Sequence, residues 1–300
     1  MSAELFVALW YMTMHVTAAA LIVLAMRNSS PVWGGRAAKA SWIGIILTLP
    51  LTVSGHLPLP YQAPMALLGQ SAVVVAATGL GSSMSRTPRA GTVRQATLAP
   101  RRLFVARVPR QRLAAIAASS ITLAAVVIGG LTATGTTLVR TYRGASGAST
   151  DYPGWSGGGP FLVAAAFLLI LTWWALRQIE DRPRTDEPTD TVLRVRDASR
   201  VLRATTFAMS LSGAILLFYM GSRMNEATQV LRGASEFAPR SPWDPYQWLA
   251  FGLYVPAVAL LLASLFALGG SISSRETLAS LGRGTANARQ GGPVRSGTTP

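Results

Sequence analysis

ATTFAMSLSGAILLFYMGS, residues 204–222, contains no Asp, Glu, Lys or Arg and lies between Arg203 and Arg223. A helix needs about 20 predominantly apolar residues to cross the hydrocarbon of a bilayer. The run therefore reads as a spanning segment with a guanidinium at each end. Five other stretches are equally free of charge: residues 5–26, 40–85, 113–139, 152–176 and 245–274. The stretch over 40–85 is long enough for two spans. His56-Leu57-Pro58-Leu59-Pro60-Tyr61 divides it, because proline cannot donate to a helical ladder.

The expected fold is an all-α, polytopic integral membrane bundle with seven transmembrane helices, over about 5–26, 41–57, 63–81, 113–139, 160–176, 204–221 and 248–268. They make one transmembrane domain, residues 1–270. Residues 271–300, rich in Gly, Ser, Thr and Arg, are expected to form a disordered tail. Met1-Ser2-Ala3-Glu4 lacks the positive region of a cleavable signal, so the first apolar run is read as a retained helix.

Composition agrees. Half of the residues are hydrophobic and 13% are charged, against about 25% charged in an average soluble domain. The net charge of +15 does not form the basic face of a soluble nucleic-acid-binding module, since the arginines sit between apolar spans. Nucleic acid is therefore not an expected partner. The absence of cysteine excludes disulfides, thiolate nucleophiles and Cys-ligated metals.

The distribution of charge gives orientation. The connections after the first, third and fifth spans, with the tail, hold 22 of the 27 basic residues, and the opposite side holds five. The excess of Arg on cytoplasmic segments puts the amino terminus outside and the carboxyl terminus in the cytoplasm. The five outer acids, Glu4, Asp151, Glu226, Glu236 and Asp244, balance the five outer arginines. Trp173 and Trp174 precede Arg177 at the inner interface, while Tyr61, Trp243, Tyr246 and Trp248 mark the outer one. The loop over 86–112, with eight arginines, is expected to lie on anionic lipids of the inner leaflet of the cell membrane. Thr189 or Asp190 is a plausible N-cap, so the sixth helix is expected to begin ahead of its membrane span.

Few residues could carry chemistry. His15, the only titratable group deep in a span, and His56 are candidate cofactor ligands or, for His15, part of a substrate pathway. Their depths differ by roughly 9 Å at about 1.5 Å per residue, which is poor geometry for one shared metal. No metal site and no cofactor is expected. Pro50 and Pro256 interrupt the second and seventh helices, and broken spans can line a transport site. The alternative is a kink whose backbone is satisfied by neighbours. Glu236 and Asp244, among aromatics in an outer loop, are candidate catalytic acids for a lipid or isoprenoid substrate, or else plain loop ion pairs. Motifs for nucleotide binding, zinc proteolysis, prenyl transfer and serine hydrolysis are missing.

Small residues at Ala117, Ser120, Ala125, Gly129 and Ala133, and at Ala72, Ala76, Ala77 and Gly81, favour close helix packing, within the bundle or with a membrane-protein partner or second copy. The expected function is a non-catalytic membrane subunit or assembly factor. The alternatives are a small-solute permease using the Pro50 and Pro256 breaks, and an intramembrane enzyme.

Overall fold

The computed structural model describes residues 59–84, 108–142, 145–181, 187–234 and 244–269. The first two expected spans, the loop over 86–107 and the tail lie outside the described residues. The elements are helix α1 (Leu59–Met84), helix α2 (Pro109–Thr132), strands β1 (Leu138–Tyr142) and β2 (Ala145–Ser149), and helices α3 (Trp155–Glu180), α4 (Glu187–Ala234), α5 (Pro245–Gly252) and α6 (Tyr254–Gly269). Among the described residues, five helical segments are long and apolar enough to cross a membrane, α5 and α6 together making the fifth.

Several boundaries differ from the sequence reading. The expected fourth span ran to residue 139, but α2 ends at Thr132. Gly135, with φ of 66°, then turns the chain between Thr134 and Thr137, a reversal a helix cannot make. The chain continues as a two-stranded antiparallel hairpin, Leu138 pairing with Ser149 and Tyr142 with Ala145. The described residues are otherwise helical, as expected, and the hairpin is the one departure among them. β-Branched Thr136, Thr137, Val139 and Thr141 suit a strand better than a helix.

Helix α3 begins at Trp155, so Pro160 lies inside it rather than in its first turn. Helix α1 begins at Leu59, which puts Tyr61 in its first turns. Tyr61 is fully buried against Phe161, its ring centroid 5.9 Å away, so neighbouring helices cover its side chain.

Helix α4 has 48 residues. At about 1.5 Å per residue it is roughly 70 Å long, more than twice the hydrocarbon thickness of about 30 Å. Its early start agrees with the sequence reading. Its continuation through residues 222–234, expected as loop, does not. Met224, Ala227, Thr228 and Leu231 recur at helical spacing there and are all buried.

Helix α4 is the hub of the bundle. Phe207, Ala208, Met209 and Leu216 from it join Leu67 and Val75 of α1, Val126 of α2, Phe161 and Leu168 of α3 and Leu260 of α6 in one apolar core. Hydroxyl groups cross the same interfaces. Thr122 Oγ1 donates to the Met209 carbonyl at 2.7 Å, Ser212 Oγ to the Pro64 carbonyl at 3.4 Å, and the Thr172 and Thr205 hydroxyls meet at 2.7 Å. In hydrocarbon such groups need internal partners, which adds about 0.6–2 kcal/mol per bond to helix association.

The outward faces are apolar: Leu113, Ile116, Ile128 and Leu131 on α2, Val163, Phe167, Ile170 and Trp173 on α3, and Val255, Leu262, Leu265 and Phe266 on α6. The small-residue pattern on α2 divides between the two surfaces. Ala125 and Gly129 are buried, whereas Ala117 and Ser120 are exposed.

Candidate functional site

The polar centre of the molecule is a clasp at the bundle end that carries the hairpin. In β1 the side chains alternate, with Val139 and Thr141 outward and Leu138 and Arg140 toward α4. In β2, Gly147 is buried directly against the Ala227 carbonyl and Leu231, so the hairpin lies on the helix at backbone distance. A Cβ at Gly147 would overlap backbone atoms, which is why this strand position has none.

Arg140, thus aimed inward, meets Asp244 with a bidentate fork: Nη1 donates to Oδ2 at 2.9 Å and Nη2 to Oδ1 at 2.8 Å. Nη1 also donates to Thr228 Oγ1 of α4 at 2.9 Å. The Arg140 guanidinium lies 4.6 Å from the centroid of the Tyr246 ring. Asp244 is the N-cap of α5 and accepts from the Tyr246 amide at 3.1 Å. Arg232 of α4 approaches Oδ2 at 3.8 Å and donates to Gln247 Oε1 at 2.7 Å. The clasp therefore joins β1, α4 and α5.

The Asp244 side chain is 1% exposed and that of Arg140 12%. Burial pushes the Asp244 carboxyl up. The hydrogen bonds from Arg140 and the Tyr246 amide, with the charges of Arg140 and Arg232, outweigh it and hold the carboxyl below its ordinary value. A general acid or base works best with a pKa near the operating pH and within reach of substrate. Here Asp244 is a buried anion with both carboxylate oxygens engaged.

A second connection ties β2 to α4. Ser149 Oγ donates to Glu226 Oε2 at 2.8 Å, and Arg223 donates to the same oxygen at 2.6 Å and to Tyr219 Oη at 2.8 Å. Beneath the hairpin, the buried Tyr152 shares a 3.0 Å hydrogen bond with Thr132 Oγ1, and burial raises its phenol.

Of the candidates read from the sequence, only Asp244 and Pro256 fall among the described residues. Glu236, His15, His56 and Pro50 lie outside them. Pro256 does interrupt its helix: the chain turns at Leu253 between α5 and α6. Proline at 256 cannot donate to the Gly252 carbonyl and crowds it, and the ladder breaks there. Gly252 faces open space and Val255 is exposed, so the break is on the bundle periphery. Among the described residues no three His, Cys, Asp or Glu side chains converge as a metal-binding group. The sequence reading missed Arg140 and Thr228. The available signal was an arginine at an inward strand position, visible only once β1 is recognised.

No protein-family model matches the chain, and no curated protein and no solved structure matches it.

Proposed function

We propose that this protein is a non-catalytic component of the cell membrane, an accessory or assembly subunit with seven spans, its amino terminus outside and its carboxyl terminus in the cytoplasm. The observation that carries the reading is the clasp. Arg140, Asp244 and Arg232 are spent on holding the hairpin and α5 to the protruding end of α4. The result is a braced, outward-projecting platform on an apolar bundle, which suits a scaffold more than a reaction centre.

Lipid is the immediate partner, through the apolar faces of α2, α3 and α6, with anionic lipids at the arginine-rich inner side. A protein partner would engage the platform or the spans. The test is extraction of the native protein in mild detergent followed by native mass spectrometry. A stoichiometric membrane-protein partner is expected, and a clean, partner-free monomer would overturn the subunit reading.

The permease reading keeps one specific support, the helix break ahead of Pro256. If that break lined a transport route, Pro256→Ala would abolish a solute flux measurable in vesicles. If it is a peripheral kink, flux is unaltered.

A further inference from the structure

The hairpin that the clasp holds in place has an open edge. Tyr142 pairs with Ala145 across a two-residue loop, so these two residues exchange both backbone hydrogen bonds. The alternation of an antiparallel ladder makes Arg140 with Gly147 and Leu138 with Ser149 hydrogen-bonded pairs too. Val139 with Ala148 and Thr141 with Ser146 are then the non-bonded pairs. The N–H and C=O groups of Val139 and Thr141 therefore point away from β2, along the outer edge of β1. Among the described residues no other group hydrogen-bonds to them. The edge has closed ends: the Thr134 and Thr137 backbones bond to each other ahead of it, and the hairpin loop follows Tyr142. Its five residues span about 17 Å, at about 3.3 Å per residue.

Exposed edge strands are ordinarily blunted by lysine, proline or an inward charge. β1 has neither lysine nor proline. Its one charge, Arg140, turns inward and is already neutralised by Asp244, so an added strand buries no unpaired charge. Val139 and Thr141 are exposed and β-branched, a type of side chain that packs well across strands. A two-stranded hairpin alone is marginal in water. Here the Arg140–Asp244 fork, the Ser149–Glu226 bond and the seating of Gly147 on α4 hold it in shape before any partner binds.

We infer that β1 is a docking edge that takes an extended segment of a partner protein as a third strand of the two-stranded sheet. The inference rests on the subunit reading and names the surface and the chemistry of the partner. That segment has about five residues, with no proline at the positions that bond to Val139 and Thr141. A second copy of this chain does not fit. Gly147, on the inner face of the sheet, meets Ala227 and Leu231, neighbours on the side of α4, so the sheet normal lies across the helix axis. Antiparallel pairing of two β1 edges puts the twofold axis along that normal. With α4 crossing the bilayer, the second copy would be inverted in the membrane. Parallel pairing needs a one-residue offset, which a twofold rotation forbids.

The test compares the native complex, extracted in mild detergent, with the full chain purified alone, by hydrogen exchange and mass spectrometry. The fragment over 138–142 is expected to lose its two fast-exchanging amides, Val139 and Thr141, in the complex. The fragment over 145–149, which carries the opposite edge, is unchanged. Val139→Pro and Thr141→Pro remove outward donors and leave the ladder to β2 intact, and each should lower the co-purified partner by about tenfold. Ala148→Pro removes an outward donor from the opposite edge and retains the partner. If the proline variants do not fold, exchange in the wild type decides alone. A partner retained in full by both β1 variants, or unchanged exchange over 138–142, overturns the inference and leaves the subunit reading standing. Protection confined to 145–149, or a second copy as the bound species, overturns it as well. The absence of any partner overturns both.

Discussion

Arg140 and Asp244, 104 residues apart in the chain, form a two-pronged ion pair with oxygen–nitrogen distances of 2.8 and 2.9 Å, and Asp244 caps α5 with the same carboxylate. This pair fixes the non-helical part of the molecule to the helical part. Asp244 is almost wholly buried, so removing Arg140 leaves its carboxylate desolvated with only the Tyr246 amide and the 3.8 Å approach of Arg232, and removing Asp244 deprives Arg140 of its carboxylate.

Arg140→Gln or Asp244→Ala should therefore destabilise the fold by about 3–5 kcal/mol. Thermal unfolding in detergent measures this. Asp244→Asn keeps a capping oxygen and should cost less than Asp244→Ala by about 1 kcal/mol. A double-mutant cycle should return a large coupling energy between the two positions, and additive effects would show that the pair does not hold the hairpin.

The clasp also sets a pH dependence. The Asp244 carboxyl is lowered below its ordinary value of 3.8. Its contribution is thus fully present above that value and is lost as pH falls through the lower folded-state value. The gap in unfolding midpoint between wild type and Asp244→Asn should be constant from neutral pH down to about 5 and shrink below about 4. A gap that widens on acidification would contradict a depressed folded-state value.

Backbone contact between β2 and α4 makes a different demand. Gly147→Val must push the hairpin off the Ala227 carbonyl and Leu231, at a cost of about 1–3 kcal/mol. Gly233, late in α4 with open space around it, is the control: Gly233→Ala should be neutral or stabilising by up to about 1 kcal/mol. Faster proteolysis at residues 143–144 in the Gly147 variant alone would report the loosened hairpin.

One hydroxyl bridges α2 and α4 within their apolar contact. Thr122→Val keeps the shape and removes the bond to the Met209 carbonyl, so the expected loss is about 0.6–1.7 kcal/mol. An unfolding midpoint equal to that of the wild type would mean the hydroxyl contributes nothing to that crossing.

The helices were legible because their signal is local. Residues 204–222 are charge-free and long enough to span, and nothing distant is needed to read that. The hairpin was not legible, for a physical reason. Strand recognition depends on apolar side chains facing inward and polar ones outward, yet β1 turns Arg140 inward and Val139 outward. The inversion is stabilised by Asp244, far along the chain, and no window around residue 140 contains that information. The extension of α4 beyond residue 222 was hidden likewise, since Arg223, Glu226 and Arg232 mark the end of an apolar span and not the end of a helix. Asp244 was picked out as a candidate catalytic acid or a loop ion pair, and the partners it meets are brought together only by the fold.

The opposed placement of hairpin and arginine-rich rim underlies the whole account, and the cysteine-free chain allows it to be measured directly. Single cysteines at Ser146→Cys, exposed on β2, and at Ser296→Cys, in the tail, are treated in intact cells with a membrane-impermeant maleimide. Labelling of position 146 in intact cells, and of 296 only after permeabilisation, is the predicted result. Labelling of 296 from outside with 146 protected would reverse the orientation, and labelling of both in intact cells would contradict an odd number of spans between the two positions.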